Sequence, residues 1–381
     1  MISVEELLQQ LVERGGSDLH VTAGAPPKIR VDGKLISTEH AILDPETTQK
    51  LVYSILDNTQ IARFEKDLEL DMSFGIGGLG RFRTNVFMQR GAVGAVLRVI
   101  PYEIKGFRDL GLNEELCAQI ASVPKGLVLV TGATGSGKST TLASMVDYVN
   151  RSRNEHIVTI EDPIEFVHKN KQCLVNQREI GSDTHGFKES LRAVLRQDPD
   201  VILVGEMRDM ETIEAALTLS ETGHLTFGTL HTSDCVQTIN RIVDVFPAYQ
   251  QQQIRTVLSF TLMAVFCQQL LPKADGRGRI LAAEIMIANN AVRSLVRDNK
   301  AHQIYSIIQT GGKLGMKTMN QSLFELVQKR QCSYQDAFER TSDPDDFLRT
   351  FQSMGVTTPG QAATGAAGTG DRPKAPKPPK G

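Results

Sequence analysis

The chain has 381 residues, long enough for two or three domains with a core in each, so a small scaffold held together by disulfides or metal is excluded. Its 42 Lys and Arg stand against 44 Asp and Glu, a net charge of -2 that speaks against a protein coated for nucleic acid. Five cysteines, at 117, 173, 235, 267 and 332, are scattered singly with no C-x-x-C pair, the pattern of free thiols in a reducing cytoplasm.

The opening segment MISVEELLQQLVERGGSD carries acidic residues where an export signal needs a basic flank and an apolar core. Within it Val4, Leu7, Leu8, Leu11 and Val12 repeat with a helical period that Gly15-Gly16 ends. From Asp18 to about Pro101 short extended runs follow: LHVT, PPKIRVDGKLI with a turn at Asp32-Gly33, GRFRTNVFMQR and GAVGAVLRVI. One helix is expected among them, from Asp44 to Phe64, with Pro45 in its first turn. This reads as an α+β module over 1–105, followed by a turn-rich linker at 106–113.

Apolar strands then alternate with helical patterns: GLVLVTG, a helix over 138–151, HIVTIED, a helix over 187–196, DVILVGE, a helix over 210–221, and HLTFGTLH. Strands without polar alternation, separated by helices, imply a parallel sheet buried on both faces, so the segment 114–355 reads as α/β. Beyond about Asn240 the chain reads as mainly helical. The 17 uncharged residues Thr256–Pro272 are too short and too polar to span a membrane and read as a buried helix, so a membrane role would come through a partner. The tail, 356–381, holds in its last 25 residues five Gly, five Pro and no large apolar side chain, and is expected to be disordered.

GATGSGKS at 132–139 matches the phosphate-binding pattern G-x-x-x-x-G-K-[ST], and it sits between an expected strand and an expected helix, where the chemistry needs it. Gly132, Gly135 and Gly137 let the backbone turn its amides toward phosphate, with Ala133, Thr134, Ser136 and Thr140 completing the cradle. Lys138 is expected to neutralise the β and γ phosphates of ATP, and Ser139 to hold Mg2+. DVILVGEMRD at 200–209 is a second buried strand, with Gly205 where an Asp usually meets Mg2+ and Glu206 after it as the candidate to activate water. The strand ending at Glu161-Asp162-Pro163, with Glu165 close behind, brings further carboxylates, of which Asp162 can supply the metal contact that Gly205 lacks and Glu161 is a second candidate base. His224 and His231 flank LTFGTL; either hydrogen bonding within the fold or sensing of the γ-phosphate suits a His there, whereas a zinc site lacks ligands, Cys235 alone not providing them. In GRFRTNVF, alternation puts Arg81, Arg83 and Asn85 on one face of a strand, a solvated side or an anion contact.

Together these segments resemble the PilT-type retraction (twitching motility) ATPases of bacterial type IV pili, within the larger class of secretion ATPases. SDLHVTAGAPPKIRVDGKL is similar to that family's amino-terminal signature, GATGSGKST to its Walker A, TIEDPIEF to its Asp box, LRQDPDVILVGEMRD to its Walker B and GHLTFGTLHTSD to its His box. The resemblance covers about residues 1–355. It implies an α/β protein with a PAS-like amino-terminal domain, a RecA-like ATPase domain and a homohexameric ring. It also implies that Arg81, Arg83 and Arg98 approach the nucleotide, that the ring works in the cytoplasm at the inner face of the membrane, and that it turns a membrane-embedded pilus platform protein. AVRSLVRD at 291–298 is similar to a helix tied to retraction, departing at Val292, Ser294, Val296 and Asp298; its spacing puts Ala291, Val292, Leu295 and Val296 on one face. The four-cysteine zinc insert of the extension and type II secretion ATPases is absent, which leaves a retraction motor or an accessory retraction ATPase. Two rivals stand beside this reading, a RecA-like motor on nucleic acid and a nucleotide-gated scaffold without turnover.

Overall fold

The computed structural model describes residues 2–31, 33–100 and 103–353, so Asp32 of the expected turn, Pro101 and Tyr102 near the end of the amino-terminal module, and the tail from 354 lie outside the described residues. The Ser3 hydroxyl accepts the Glu6 amide to start α1 (Val4–Glu13), and the expected stripe of Leu7, Leu8 and Leu11 is buried. Strands β1 (Asp18–Thr22), β2 (Lys28–Val31) and β3 (Lys34–Ser37) follow. The single helix expected over Asp44–Phe64 is in fact two, α2 (Pro45–Tyr53) and α3 (Asn58–Asp67). Asp57 divides them, its carboxylate accepting the Gln60 amide while the Gln60 side chain accepts the Asp57 amide.

Strands β4 (Glu69–Ile76), β5 (Gly80–Gln89) and β6 (Ala92–Ile100) complete a six-stranded sheet in the order β3-β2-β1-β6-β5-β4, whose paired strands run antiparallel. Leu7, Leu8, Leu19, Ile29, Phe64, Phe82 and Leu97 form its core. Along β5 the expected alternation holds, with Phe82, Thr84 and Val86 buried and Arg81, Arg83 and Asn85 on the other face.

After α4 (Glu114–Ala121) come β7 (Gly126–Thr131), α5 (Lys138–Ser152), β8 (His156–Glu161), β9 (Leu174–Glu179), α6 (Phe187–Val194), β10 (Val201–Val204), α7 (Met210–Glu221) and β11 (Leu225–Leu230). The strands lie in the order β7-β11-β10-β8-β9, and β8 runs parallel to both β10 and β9. β7, β10 and β11 are buried along their whole length, as strands covered on both faces must be.

The next elements are α8 (Cys235–Asp244), α9 (Ala248–Thr261), β12 (Leu262–Pro272), β13 (Arg279–Ile287), α10 (Asn290–Arg297), α11 (Ile304–Thr310), α12 (Met319–Gln328), α13 (Tyr334–Phe338) and α14 (Pro344–Ser353). Two expectations are corrected here. Thr256–Pro272 is not one buried helix: α9 ends at Thr261 and Leu262 enters β12, which pairs antiparallel with β13. The carboxy-terminal part is therefore not simply helical. An uncharged run has no period that separates buried helix from buried strand, and the long pairing with β13 decides it. In α10, Val292 and Val296 are buried as expected, but Ala291 is exposed and Arg293 is half-buried with its Nε donating to the Ala288 carbonyl at 2.8 Å.

By contact density the chain forms two compact units. Among the described residues, those within 2–130, 138–230 and 242–263 make one, and 131–137, 231–241 and 264–353 the other. The second is held by Leu271, Leu323, Phe324, Phe347 and Phe351. All five cysteines are buried and free of disulfides.

Candidate active site

The loop after β7 has the backbone that phosphate binding needs. Gly132 adopts φ +138°, and a Cβ there would meet the Gln268 carbonyl oxygen and stand 2.6 Å from the Ser136 hydroxyl, so the position admits only glycine. The Ser136 hydroxyl is buried without a hydrogen-bond partner, a polar group facing a loop built to receive one. Ala133, Thr134 and Gly135 are exposed, and Arg279 Nη1 donates to the Gly135 carbonyl at 3.2 Å. Gly137, at φ +93°, leads into α5, whose first residues are Lys138, Ser139 and Thr140, all half-buried. Burial lowers the Lys138 pKa, opposed by the nearby charges of Glu206 and Glu165.

Glu165, just past the end of β8, and Glu206, just past the end of β10, bring their charge to bear on that lysine. Glu161 closes β8, and its Oε1 accepts the Thr159 hydroxyl at 2.6 Å and Gln177 Nε2 at 3.1 Å. Burial pushes its pKa up to about 7, against the pull of those two hydrogen bonds. A carboxylate that titrates near neutrality, fixed by one oxygen and still partly exposed, suits proton transfer from water.

Glu206 is differently placed. Arg208 grips it through both oxygens, Nε to Oε1 and Nη2 to Oε2, each at 2.6 Å. Arg208 in turn feels the charge of Asp162, so Asp162, Arg208, Glu206 and Lys138 form one electrostatic cluster.

Gly205 has a steric reason. A Cβ at 205 would stand 3.1 Å from both the Glu161 Cα and the Ile160 carbonyl oxygen, because β10 lies against β8 at this level. A side chain here, aspartate included, would push on the backbone that carries Glu161. Gly205 offers no side-chain ligand, and Asp162, the residue after Glu161, is exposed.

The arginine strand meets the same region through β9. Arg81 Nη2 pairs with Glu179 Oε2 at 3.1 Å and donates to the Ser73 hydroxyl at 2.6 Å. Arg83 is exposed, makes no ion pair among the described residues, and lines a 570 Å³ cavity with Arg63, Asp71, Asp162 and Glu179. Arg98 instead pairs with the buried Asp18 at 2.8 Å, holding β6 to β1.

The Type II/IV secretion system protein family matches this sequence over residues 1–339. The chain belongs to that family. Its relatives include the type IV pilus retraction ATPase PilT of Pseudomonas aeruginosa, 51% identical over 91% of this chain and 100% of the relative. The type IV pilus ATPase PilU of the same organism is 39% identical over 92% and 91%. Among solved structures, the pilus retraction motor PilT with bound ADP superimposes with a TM-score of 0.86 at 50% identity, covering 92% of this chain and all of that one. The fold is thus that of the secretion ATPases, an amino-terminal domain joined to a RecA-like ATPase domain, and the chain is a nucleotide-binding ATPase of this family.

Several side chains hold the site residues through contacts that no sequence motif discloses. Thr159 and Gln177 hold Glu161, and Glu179 holds Arg81; Gln177 and Glu179 stand on β9, which reads as nothing in particular in sequence. His224 is tied into the fold, its Nδ1 3.0 Å from the Leu219 carbonyl in the last turn of α7. His231 is exposed just past β11.

Cys235 gains company that spacing could not reveal. Its Sγ lies 3.6 Å from Cys267 Sγ, with Glu284 beside them. Glu284 accepts the amides of Cys235 at 2.8 Å and Met319 at 3.4 Å, at the starts of α8 and α12. The described residues bring no fourth His, Cys, Asp or Glu to this cluster, and a closed structural zinc site takes four ligands.

Proposed function

We propose that this chain hydrolyses ATP, with Mg2+, in a homohexameric motor that retracts a type IV pilus and so drives twitching motility. The observation that carries the reading is the approach of the Glu165 and Glu206 charges to Lys138 at the start of α5, the lysine of the phosphate-binding sequence. The full-length likeness to a retraction ATPase supports the rest, and so does the greater identity to PilT than to PilU, which favours the retraction motor over the accessory ATPase. The amino-terminal domain occupies 1–105, the linker 106–113 and the ATPase domain 114–355.

Gly132 to Thr140 bind the phosphates through backbone amides and the start of α5, and Lys138 neutralises charge on the β and γ groups. Glu161 takes the proton of the attacking water. Glu206, clamped by Arg208, orients that water and steadies the charge of Lys138. The oxygen donors Ser139 and Asp162 suit Mg2+, which supplies neutralisation of phosphate charge when bound. Arg81 and Arg83 approach the phosphates from the amino-terminal domain, and His231 follows the γ-phosphate.

No described helix is long and apolar enough to cross a membrane, which fits a cytoplasmic ring that reaches the membrane through a platform protein. Steady-state ATPase assay joined to native mass spectrometry tests the reading. Mg2+-dependent turnover by a six-subunit species, unchanged by added DNA, is expected. Binding without turnover would identify a scaffold instead, and stimulation by DNA a nucleic-acid motor.

A further inference from the structure

Glu179 is almost wholly enclosed, 3% exposed, yet it carries no role in the chemistry described so far. Four donors converge on its carboxylate: Arg81 Nη2 at 3.1 Å, the Ser73 hydroxyl at 2.7 and 2.9 Å, the Ile164 amide at 3.2 Å, and the Ser182 hydroxyl at 3.5 Å. Two of these come from the sheet of the amino-terminal region, and the Ile164 amide lies directly behind the Asp162-Pro163 turn. A buried carboxylate so fully supplied with donors is a fixed point to which mobile groups are tied.

Its place on β9 adds a second fact. Gln177 and Glu179 are two residues apart, hence on the same face of the strand, and β9 runs beside β8 with Thr159 opposite Gln177 and Glu161 opposite Glu179. Gln177 holds the candidate base and Glu179 holds the arginine. One short strand therefore sets the positions of both.

The arginine is incompletely satisfied there. Arg81 Nε is buried with no hydrogen-bond partner, although Nη2 is doubly engaged. An unpaired buried donor is costly, so an anion offering Arg81 a fuller set of acceptors would draw it away. Arg83, two residues along on the same face, makes no ion pair among the described residues and has no such tether.

We propose that Glu179 is a positioning residue that keeps Arg81 in reserve, competing with a nucleotide phosphate for the same guanidinium. The inference rests on the reading that Arg81 acts on nucleotide. Hydrolysis then includes the transfer of Arg81 from Glu179 to phosphate, and the carboxylate sets how readily this happens while keeping Asp162 and Pro163 in place through the Ile164 amide.

The test is steady-state ATP hydrolysis by Glu179→Gln, which keeps shape and an acceptor but removes the charge. Exchanging a charged for a neutral acceptor is expected to raise kcat/KM for ATP by about tenfold. Ser73→Ala, which loosens the same bridge without touching the buried charge, is expected to change it in the same direction by less, and it serves if Glu179→Gln fails to fold. In the double variant Arg81→Gln, Glu179→Gln, both charges leave together, and the rate is expected to fall below that of the unaltered protein.

An unchanged or lowered kcat/KM in folded Glu179→Gln overturns the reserve role. If the double variant still falls well below wild type in that case, Arg81 acts on nucleotide and only the competition is wrong. If it matches Glu179→Gln, the arginine reading itself fails. A gain that survives in the double variant also overturns the proposal, since it would not pass through Arg81.

Discussion

In the proposed mechanism the phosphate loop and strand β9 serve the same reaction by opposite means. The loop is contiguous: nine residues whose glycines and lysine do their work within one turn of chain, with Gly132 held to glycine by the Gln268 and Ser136 atoms around it. β9 contributes two isolated side chains, Gln177 and Glu179, whose partners Glu161 and Arg81 are far away in sequence and are reached only through strand register. Chemistry carried by backbone conformation needs a particular local sequence, whereas chemistry carried by register needs only that two strands pair. The first leaves a motif and the second does not.

The largest effect expected from breaking the loop is Lys138→Ala. Turnover should be abolished while the melting temperature stays within a few degrees, because the half-buried lysine tip adds phosphate neutralisation rather than packing. Full activity in this variant would remove the loop from the account.

The arginine pair sharpens the contrast on the other side. Replacing Arg81 and Arg83 together by Ala should lower hydrolysis by ~10³-fold with ATP affinity within about tenfold. The single variants should separate by thermal melting. Arg81→Ala leaves the buried Glu179 carboxylate without its counter-ion and should cost about 3–5 kcal/mol, whereas Arg83→Ala removes an exposed side chain and should leave the melting temperature unchanged. Equal melting temperatures would mean that the Arg81–Glu179 pair does not form in solution.

A smaller effect is expected for Gln177→Ala. Losing a hydrogen bond to the charged form of Glu161 raises that group's pKa further, so the midpoint of the pH–rate curve should move to higher pH by less than ~1 unit, with a several-fold loss of rate near neutrality. A curve that does not move would place Gln177 outside the catalytic apparatus.

These elements differ in what the sequence discloses. The parallel strands β7, β10 and β11 announce themselves as apolar runs, and the alternation of β5 is visible residue by residue. β9 reads LVNQRE, polar and half-exposed, and carries neither signal. The uncharged run 256–272 misleads because helix and strand bury it equally well, and only the pairing of β12 with β13 separates them. At the site, Lys138, Glu161 and Glu206 stand out by motif, while the Arg208 clamp on Glu206 and the Thr159–Gln177 grip on Glu161 depend on distances no spacing encodes. Gly205 is legible as an unusual residue but not as a sterically crowded one until β8 is seen beside it.

The clamp on Glu206 and the near-neutral titration of Glu161 favour Glu161 as the proposed base. The most direct test is the pH dependence of steady-state ATP hydrolysis in wild type, Glu161→Gln and Glu206→Gln. A base must be deprotonated to act, so with Glu161 titrating at about 7 the wild-type rate should rise as pH increases through 7 and fall below it. Glu161→Gln should lose ~10²-fold or more in rate together with that pH dependence, while Glu206→Gln should be slower with the same rise through 7. A rise through 7 that persists in Glu161→Gln and vanishes in Glu206→Gln would contradict the account and return the base to Glu206.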